Sequence, residues 1–302
     1  MKRLYPPHRF AAALSFTMGA WLLTSSVAAS PDTESHTNVI HVDEYGVGTP
    51  VILIPGLMSD GTVWQSTVDE LQKDHKVYVI NVAGFGRTPV APDTTLENVE
   101  HAVADYLVSH QIDNPVVIGH SMGGFLAMAL AVNPDVEISK AISVDGLPYI
   151  GAIFTGSNDV SVEMLAPQAS QIRGMYAAMS REQFEGQTRM GLSRQSASEA
   201  GHQKVIEFAS TSDPATVGQI MYDLMSRDLR EALRETDTPI VLLGASGGFQ
   251  DAQRKQSVEK MYEQQLASVP SATVKMNTQS LHFIMYDDPA WLKEQINHFI
   301  KE

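Results

Sequence analysis

The sequence predicts an α/β domain: a mostly parallel central sheet with helices on both faces and an inserted helical segment. Three observations carry this. Short continuous apolar runs (Val51-Ile52-Leu53-Ile54, Val77-Tyr78-Val79-Ile80, Ile240-Val241-Leu242-Leu243) alternate with stretches of helical period, as expected of strands covered on both sides. The run Val116-Val117-Ile118 stops at Gly119, and a helical pattern (Phe125, Leu126, Met128, Ala129, Val132) begins just beyond it. Between about residues 149 and 235 strand runs vanish, and Met and Ala become frequent.

Taken in order, residues 38–42 alternate weakly and end in the turn signal Glu44-Tyr45-Gly46-Val47-Gly48. The first buried strand then stops at Pro55-Gly56-Leu57, and the second is followed by Gly84-Phe85-Gly86-Arg87-Thr88. Leu96, Val99, Val103, Tyr106 and Leu107 fall at helical spacing, ending near Ile112-Asp113-Asn114. After the central strand and helix comes Ala141-Ile142-Ser143-Val144, terminated by Asp145-Gly146-Leu147-Pro148. The sheet resumes at Ile240. A helix is expected over residues 258–266, a short strand over 272–276, and a last helix opened by Asp288-Pro289, with Asp as cap and Pro in the first turn. The expected organisation is therefore a leader at 1–29, a core from 30–148 and 236–302, and a helical lid at 149–235. The Met residues of that lid are expected to pack it on the body or to line a pliable pocket.

Composition narrows the class. The 302 residues are 43% hydrophobic and 19% charged, with formal net charge −14 and no Cys. So acidic a chain is a poor partner for nucleic acid or an anionic membrane. Without Cys it has neither disulfides nor a lipid-anchored N-terminal thiol. Lys2, Arg3 and Arg9, the apolar stretch 10–23 and the small residues Val27-Ala28-Ala29 read as a secretory signal cleaved after Ala29. An uncleaved membrane anchor is the rival reading. The expected product is periplasmic or extracellular, and soluble, since no stretch after residue 30 is apolar enough to cross a bilayer.

The chemistry centres on Gly119-His120-Ser121-Met122-Gly123. A Ser in a Gly-x-Ser-x-Gly frame between strand and helix is held at the tip of a sharp turn, its hydroxyl above the sheet; the plainer alternative is a Ser that merely caps the helix. A Ser hydroxyl becomes nucleophilic only beside a base, and the base needs an orienting acid. His282, in the loop Gln279-Ser280-Leu281-His282-Phe283, is the candidate base, whereas His101 and His110 fall on a helix and His120 packs under the turn. Two strand ends offer an acid. Asp145 is the closer-tethered choice, with Asp251 beyond the loose Gly247-Gly248 loop as the other; a turn residue and a helix cap are the corresponding structural readings. The N–H groups of Met122 and Leu57 are the candidate oxyanion donors. No His, Asp or Glu group has the ligand spacing of a zinc-protease helix, so neither metal nor cofactor is expected.

From about Val51 onward the chain resembles the α/β-hydrolase superfamily, in its lid-bearing serine esterase-like branch. The resemblance is carried by Pro55-Gly56 with Trp64, Gly84-Phe85-Gly86-Arg87-Thr88, Gly119-His120-Ser121-Met122-Gly123-Gly124, residues 239–244, His282-Phe283 and Asp288-Pro289. It implies the α/β-hydrolase fold, Ser121 as nucleophile, His282 as base, an oxyanion hole at Leu57 and Met122, and a lid between the sixth and seventh strands. The chain departs from the family in having Pro55-Gly56 where many relatives have His-Gly, and Asn81 for a frequent Asp. The usual Gly-x-x-Asp after the seventh strand reads Gly244-Ala245-Ser246-Gly247. Some relatives carry the acid after the sixth strand, where Asp145 stands. A Ser rather than an Asp at the turn speaks against the dehalogenase and epoxide-hydrolase branches. The expected function is an exported serine hydrolase acting on a small carboxylic ester, or a related lactone, thioester or carbon–carbon bond. The alternative is a small-ligand-binding protein on the same fold with slow turnover or none.

Overall fold

The computed structural model describes residues 36–302; the leader expected at 1–29 lies outside them. Seven strands form one sheet: β1 (Ile40–Tyr45), β2 (Thr49–Ile54), β3 (His75–Val82), β4 (Val116–His120), β5 (Lys140–Val144), β6 (Ile240–Ala245) and β7 (Ala272–Asn277). Their spatial order is β1-β3-β2-β4-β5-β6-β7, and all neighbours are parallel except β1 against β3. The helices are α1 (Gln65–Leu71), α2 (Leu96–Ser109), α3 (Met122–Leu130), α4 (Gly151–Thr155), α5 (Val162–Ala177), α6 (Arg181–Gln195), α7 (Glu199–Thr211), α8 (Pro214–Met225), α9 (Ala252–Leu266), α10 (Ile284–Asp287) and α11 (Pro289–Lys301).

The strands are apolar throughout because both faces are covered. Ile52, Ile54, Ile80, Val82, Val117 and Leu242 face one core with α2, α3 and α9. Val51, Leu53, Val79, Ile118, Ile142 and Leu243, on the alternate positions, face another with α1 and α11. Helices α4–α8 and a short 3-10 turn at Ala232–Glu235 fill the stretch between β5 and β6. Counted in this chain, the insertion thus lies between the fifth and sixth of seven described strands, not the sixth and seventh. The caps follow local chemistry: Thr95, Ser161, Asp213 and Asp288 each accept a backbone N–H at the start of α2, α5, α8 and α11. The last of these helices therefore starts with Asp as cap and Pro289 in its first turn.

Asn81 has a structural reason. Its Oδ1 accepts the Gly61 N–H at 2.8 Å while its Nδ2 donates to Asp43 at 2.9 Å. An Asp at 81 would set two carboxylates against each other where the amide supplies a donor.

The β4–α3 junction is the tightest packing in the sheet. A Cβ on Gly119 would lie 1.9 Å from the Gly123 carbonyl oxygen, and one on Gly123 would lie 2.2 Å from that of Ile54. Both partners are backbone and cannot step aside. Next along β4, His120 is buried. Its Nε2–H donates to the His282 carbonyl at 3.0 Å, and its Nδ1 has no hydrogen-bond partner and sits against Gly56. Burial, then the neighbouring His282, hold the His120 pKa well below the ordinary imidazole value, against a smaller opposing effect of that hydrogen bond.

Gly119→Ala is expected to destabilise the domain by about 3 kcal/mol through overpacking; a urea midpoint within error of the parent would show that the junction can open. His120 stays neutral in the folded protein but takes a proton near pH 6.5 once unfolded. Its contribution is therefore intact above that pH and lost as the pH falls below it. Between pH 7 and 5 the parent should lose more stability than His120→Gln. Parallel slopes of unfolding free energy against pH would contradict this.

Candidate active site

The site is assembled at the carboxyl ends of β4, β5 and β7, beside the crevice where such sheets place their ligands. Ser121 follows β4 with φ 53° and ψ −113°, a backbone region that costs a non-glycine residue roughly 1–3 kcal/mol. Its N–H is tied to the Val144 carbonyl at 2.8 Å, and its carbonyl accepts the Phe125 N–H at 3.0 Å. Gly146 packs against that carbonyl so closely that a Cβ there would lie 2.3 Å away. The Ser121 hydroxyl makes no cap bond to α3, so the helix-capping role considered from the sequence is absent.

Asp145 follows β5 and, like Ser121, has positive φ (52°). Its N–H bonds the Leu243 carbonyl at 2.8 Å. Each carboxylate oxygen is committed. Oδ2 accepts Nδ1–H of His282 at 2.7 Å, and Oδ1 accepts the Ala245 N–H and the Tyr262 hydroxyl, both at 2.9 Å. The carboxylate is 7% exposed and the imidazole 28%. A carboxylate can only accept, so His282 carries its proton on Nδ1 and turns the lone pair of Nε2 outward. Ser121 Oγ and His282 Nε2 have no hydrogen-bond partner among the described residues and line the same cavity. Such contacts commonly tighten only when substrate is bound.

Asp251, the other candidate acid, caps α9 by accepting the Arg254 N–H at 2.8 Å. The loop after β6 has no room for an acid at the position of the family pattern. At Gly247, where the family pattern has Asp, a Cβ would lie 2.2 Å from the Gln279 carbonyl oxygen. That loop instead braces the one carrying His282, through Ser246 N–H to Asn277 and Gly247 N–H to Ser280.

The His282 loop is held residue by residue. Leu281 N–H donates to Asp287, the His282 carbonyl accepts from His120, and Phe283 N–H donates to the Gln195 carbonyl at the end of α6. Asp287 also takes the Ser196 hydroxyl and the Ala197 N–H, at 2.6 and 2.9 Å. The insertion and the His282 loop therefore share one carboxylate.

Leu57 and Met122 both line the cavity. Met122 is the first residue of α3, so its N–H has no partner inside the helix. The loop bearing Leu57 is fixed by a turn (Ser59 N–H to Gly56 carbonyl, 3.1 Å) and by the buried Ser212, whose hydroxyl lies 2.8 Å from the Met58 carbonyl. The cavity measures about 490 Å³, and the insertion walls it with Ile150, Phe154, Phe184 and Met221.

The sequence reading did not single out Tyr262, Ser212 or Asp287. Burial and the adjacent Asp145 raise the Tyr262 pKa well above its usual value, so its hydroxyl stays a donor. The one available signal was a Tyr on the buried side of a helix, which needs a partner for its hydroxyl. No group of three or more His, Cys, Asp or Glu among the described residues could hold a metal ion.

Known proteins agree with this architecture. The model of the alpha/beta hydrolase family matches residues 51–295. A pimeloyl-[acyl-carrier protein] methyl ester esterase of Vibrio campbellii is 30% identical over 113 residues, 37% of this chain and 43% of that protein. The chain thus matches less than half the length of that relative. Its counterpart in Vibrio cholerae is 27% identical over 203 residues, 66% of this chain and 75% of that protein. Among solved structures, a thermophilic esterase from Thermogutta terrifontis superimposes with a TM-score of 0.71 at 21% identity, over 87% of this chain and 93% of that one. MenH from S. aureus gives 0.71 at 16% identity, over 87% and 98%. With the family model spanning most of the sheet, the Ser121 turn and the His282 loop, the chain belongs to the alpha/beta hydrolase family.

Proposed function

We propose that the protein is an exported serine hydrolase that cleaves a carboxylic ester through an acyl-enzyme on Ser121. The observation that carries this is the 2.7 Å bond between Asp145 and His282, groups 137 residues apart in sequence, in a cavity that also holds Ser121. A buried carboxylate aimed at one imidazole nitrogen fixes the tautomer in which the other acts as base. The naming of Vibrio relatives for a methyl ester supports an ester over the other acyl bonds.

In this mechanism Ser121 Oγ attacks the ester carbonyl as His282 Nε2 takes its proton. The Leu57 and Met122 N–H groups receive the charge that develops on the carbonyl oxygen. Collapse expels the alcohol, protonated by His282, and leaves the acyl group on Ser121. Water deprotonated by His282 then attacks, and collapse returns Ser121 and the free acid. Asp145 stabilises the imidazolium in both halves, helped by the Tyr262 and Ala245 donors that keep it in place.

A fluorophosphonate probe should label the protein stoichiometrically and fail to label Ser121→Ala. Asp145→Asn should lower kcat on a short nitrophenyl ester by on the order of 10⁴-fold, while Asp251→Asn changes it less than about threefold, because Asp251 caps α9 and pairs with the exposed Arg254. The reverse ranking would move the acid to 251, and labelling without turnover would favour a binding protein. Export rests on residues 1–29. Expressed in a Gram-negative host, the periplasmic fraction should yield an intact mass beginning at Ser30; a cytoplasmic protein retaining Met1 would remove export from the proposal.

A further inference from the structure

We infer that the substrate is an amphiphilic ester bearing a carboxylate, and that Arg194 recognises it. This rests on the ester hydrolase reading and names the substrate class of the same cavity. Arg194 lines the cavity at the last turn of α6. Every other ionisable group lining it is accounted for: Asp145 is held by three donors, His120 is buried and neutral, His282 is bonded to Asp145, the Tyr262 hydroxyl is spent on Asp145, and burial raises the Tyr176 phenol so that it carries no charge. Arg194 alone is a full charge with no ion pair or hydrogen bond among the described residues.

The sequence around it shows that this is not a stray member of a surface network. Arg189, one turn earlier on the same helix, pairs with Glu185 at i−4. The positions three and four away from Arg194 are Met190, Gly191, Ala197 and Ser198, none of them acidic. In a chain with 35 acidic and 21 basic residues, Arg194 is an exposed cation without an acidic partner, lining the cavity that also holds Ser121.

Its backbone is also fixed relative to the chemistry. The neighbouring Gln195 carbonyl accepts the Phe283 N–H, one residue past His282, and Ser196 and Ala197 are bonded to Asp287. Arg194 is therefore carried at a point tied to the base, in a lining that also includes Gln187 and Gln195. Ile150, Ile153, Phe154 and Met221 supply an apolar wall for the rest of the molecule. A guanidinium binds a carboxylate through a two-pronged charge-assisted contact that a neutral amide of the same shape cannot match. A cation is also favoured at a helix C-terminus, but Lys there would serve that purpose equally, which gives the test its control.

The test uses matched methyl esters of straight-chain diacids, four to eight carbons long, whose far end is either a free carboxylate or a primary carboxamide. A second set places the same pair of end groups on the alcohol side of butyrate esters. In at least one set the parent should favour the carboxylate about tenfold in kcat/KM at low salt. That ratio should fall to about one in Arg194→Gln, below one in Arg194→Glu, and stay intermediate in Arg194→Lys. A parent without preference in either set, or a preference that survives Arg194→Gln, overturns the inference while leaving the hydrolase reading intact. Should no ester turn over, calorimetry on Ser121→Ala with the half-acid esters decides it separately. Binding that disappears in the Ser121→Ala/Arg194→Gln double variant upholds the carboxylate site without the hydrolase, and undiminished or absent binding rejects it.

Discussion

The Asp145–His282 hydrogen bond is the constraint around which the rest is arranged. It joins the end of a central strand to a loop near the other end of the chain, so it can form only when β5, β6 and β7 are in register. Each partner is then immobilised by groups with no other visible task. Tyr262 and the Ala245 N–H saturate the far carboxylate oxygen, and His120 grips the His282 backbone from below. A buried carboxylate without those donors would be costly. With them it is a rigid acceptor facing one ring nitrogen, which is what an imidazole needs if its other nitrogen is to act as a base.

The same requirement explains why two non-glycine residues at adjacent strand ends, Ser121 and Asp145, both have positive φ. Each backbone folds back so that its N–H bonds a carbonyl of the neighbouring strand, Val144 for Ser121 and Leu243 for Asp145, and each side chain is thereby thrust above the sheet. The strain is sustained by packing from below. Gly119, Gly123, Gly124 and Gly146 leave out side chains that would stop α3 and the Asp145 turn from closing on the strands.

How much of this was legible in the sequence follows from range. Strands β2 to β6, α3 and the last helix were readable because buried parallel strands are uniformly apolar, and because Gly-x-Ser-x-Gly and Asp-Pro are local signals. The partition of residues 149–235 into five helices was not, since α5 and α6 are weakly amphipathic and largely exposed. Helix α1 and the 3-10 turn before it were also passed over, being short and between two strong strand signals. At the site, both acids were visible. The shorter tether favoured Asp145 over Asp251, but the contact that decides between them, Asp145 with His282, lies 137 positions away and no local pattern records it. Tyr262 and Asp287 escaped for the same reason: their partners are distant in sequence.

The insertion is bound to the core at places that bear on selectivity. Helices α5 and α8 pack together, with α6 and α7 nested between them in sequence as a hairpin. The turn of that hairpin is held by Asp287, the Ser212-Asp213 turn by the loops after β2 and β3, and α8 by Asp223, which accepts the Leu96 N–H at the start of α2. Three attachments at separate points fix α6, α7 and α8 against the strand ends. The insertion's wall of the cavity is therefore anchored to the same loops that carry His282 and the candidate oxyanion donors. The α6–α7 turn shares Asp287 and the Gln195 carbonyl with the Leu281 to Phe283 backbone, so in this chain the geometry of the cavity wall and that of the His282 ring are set together.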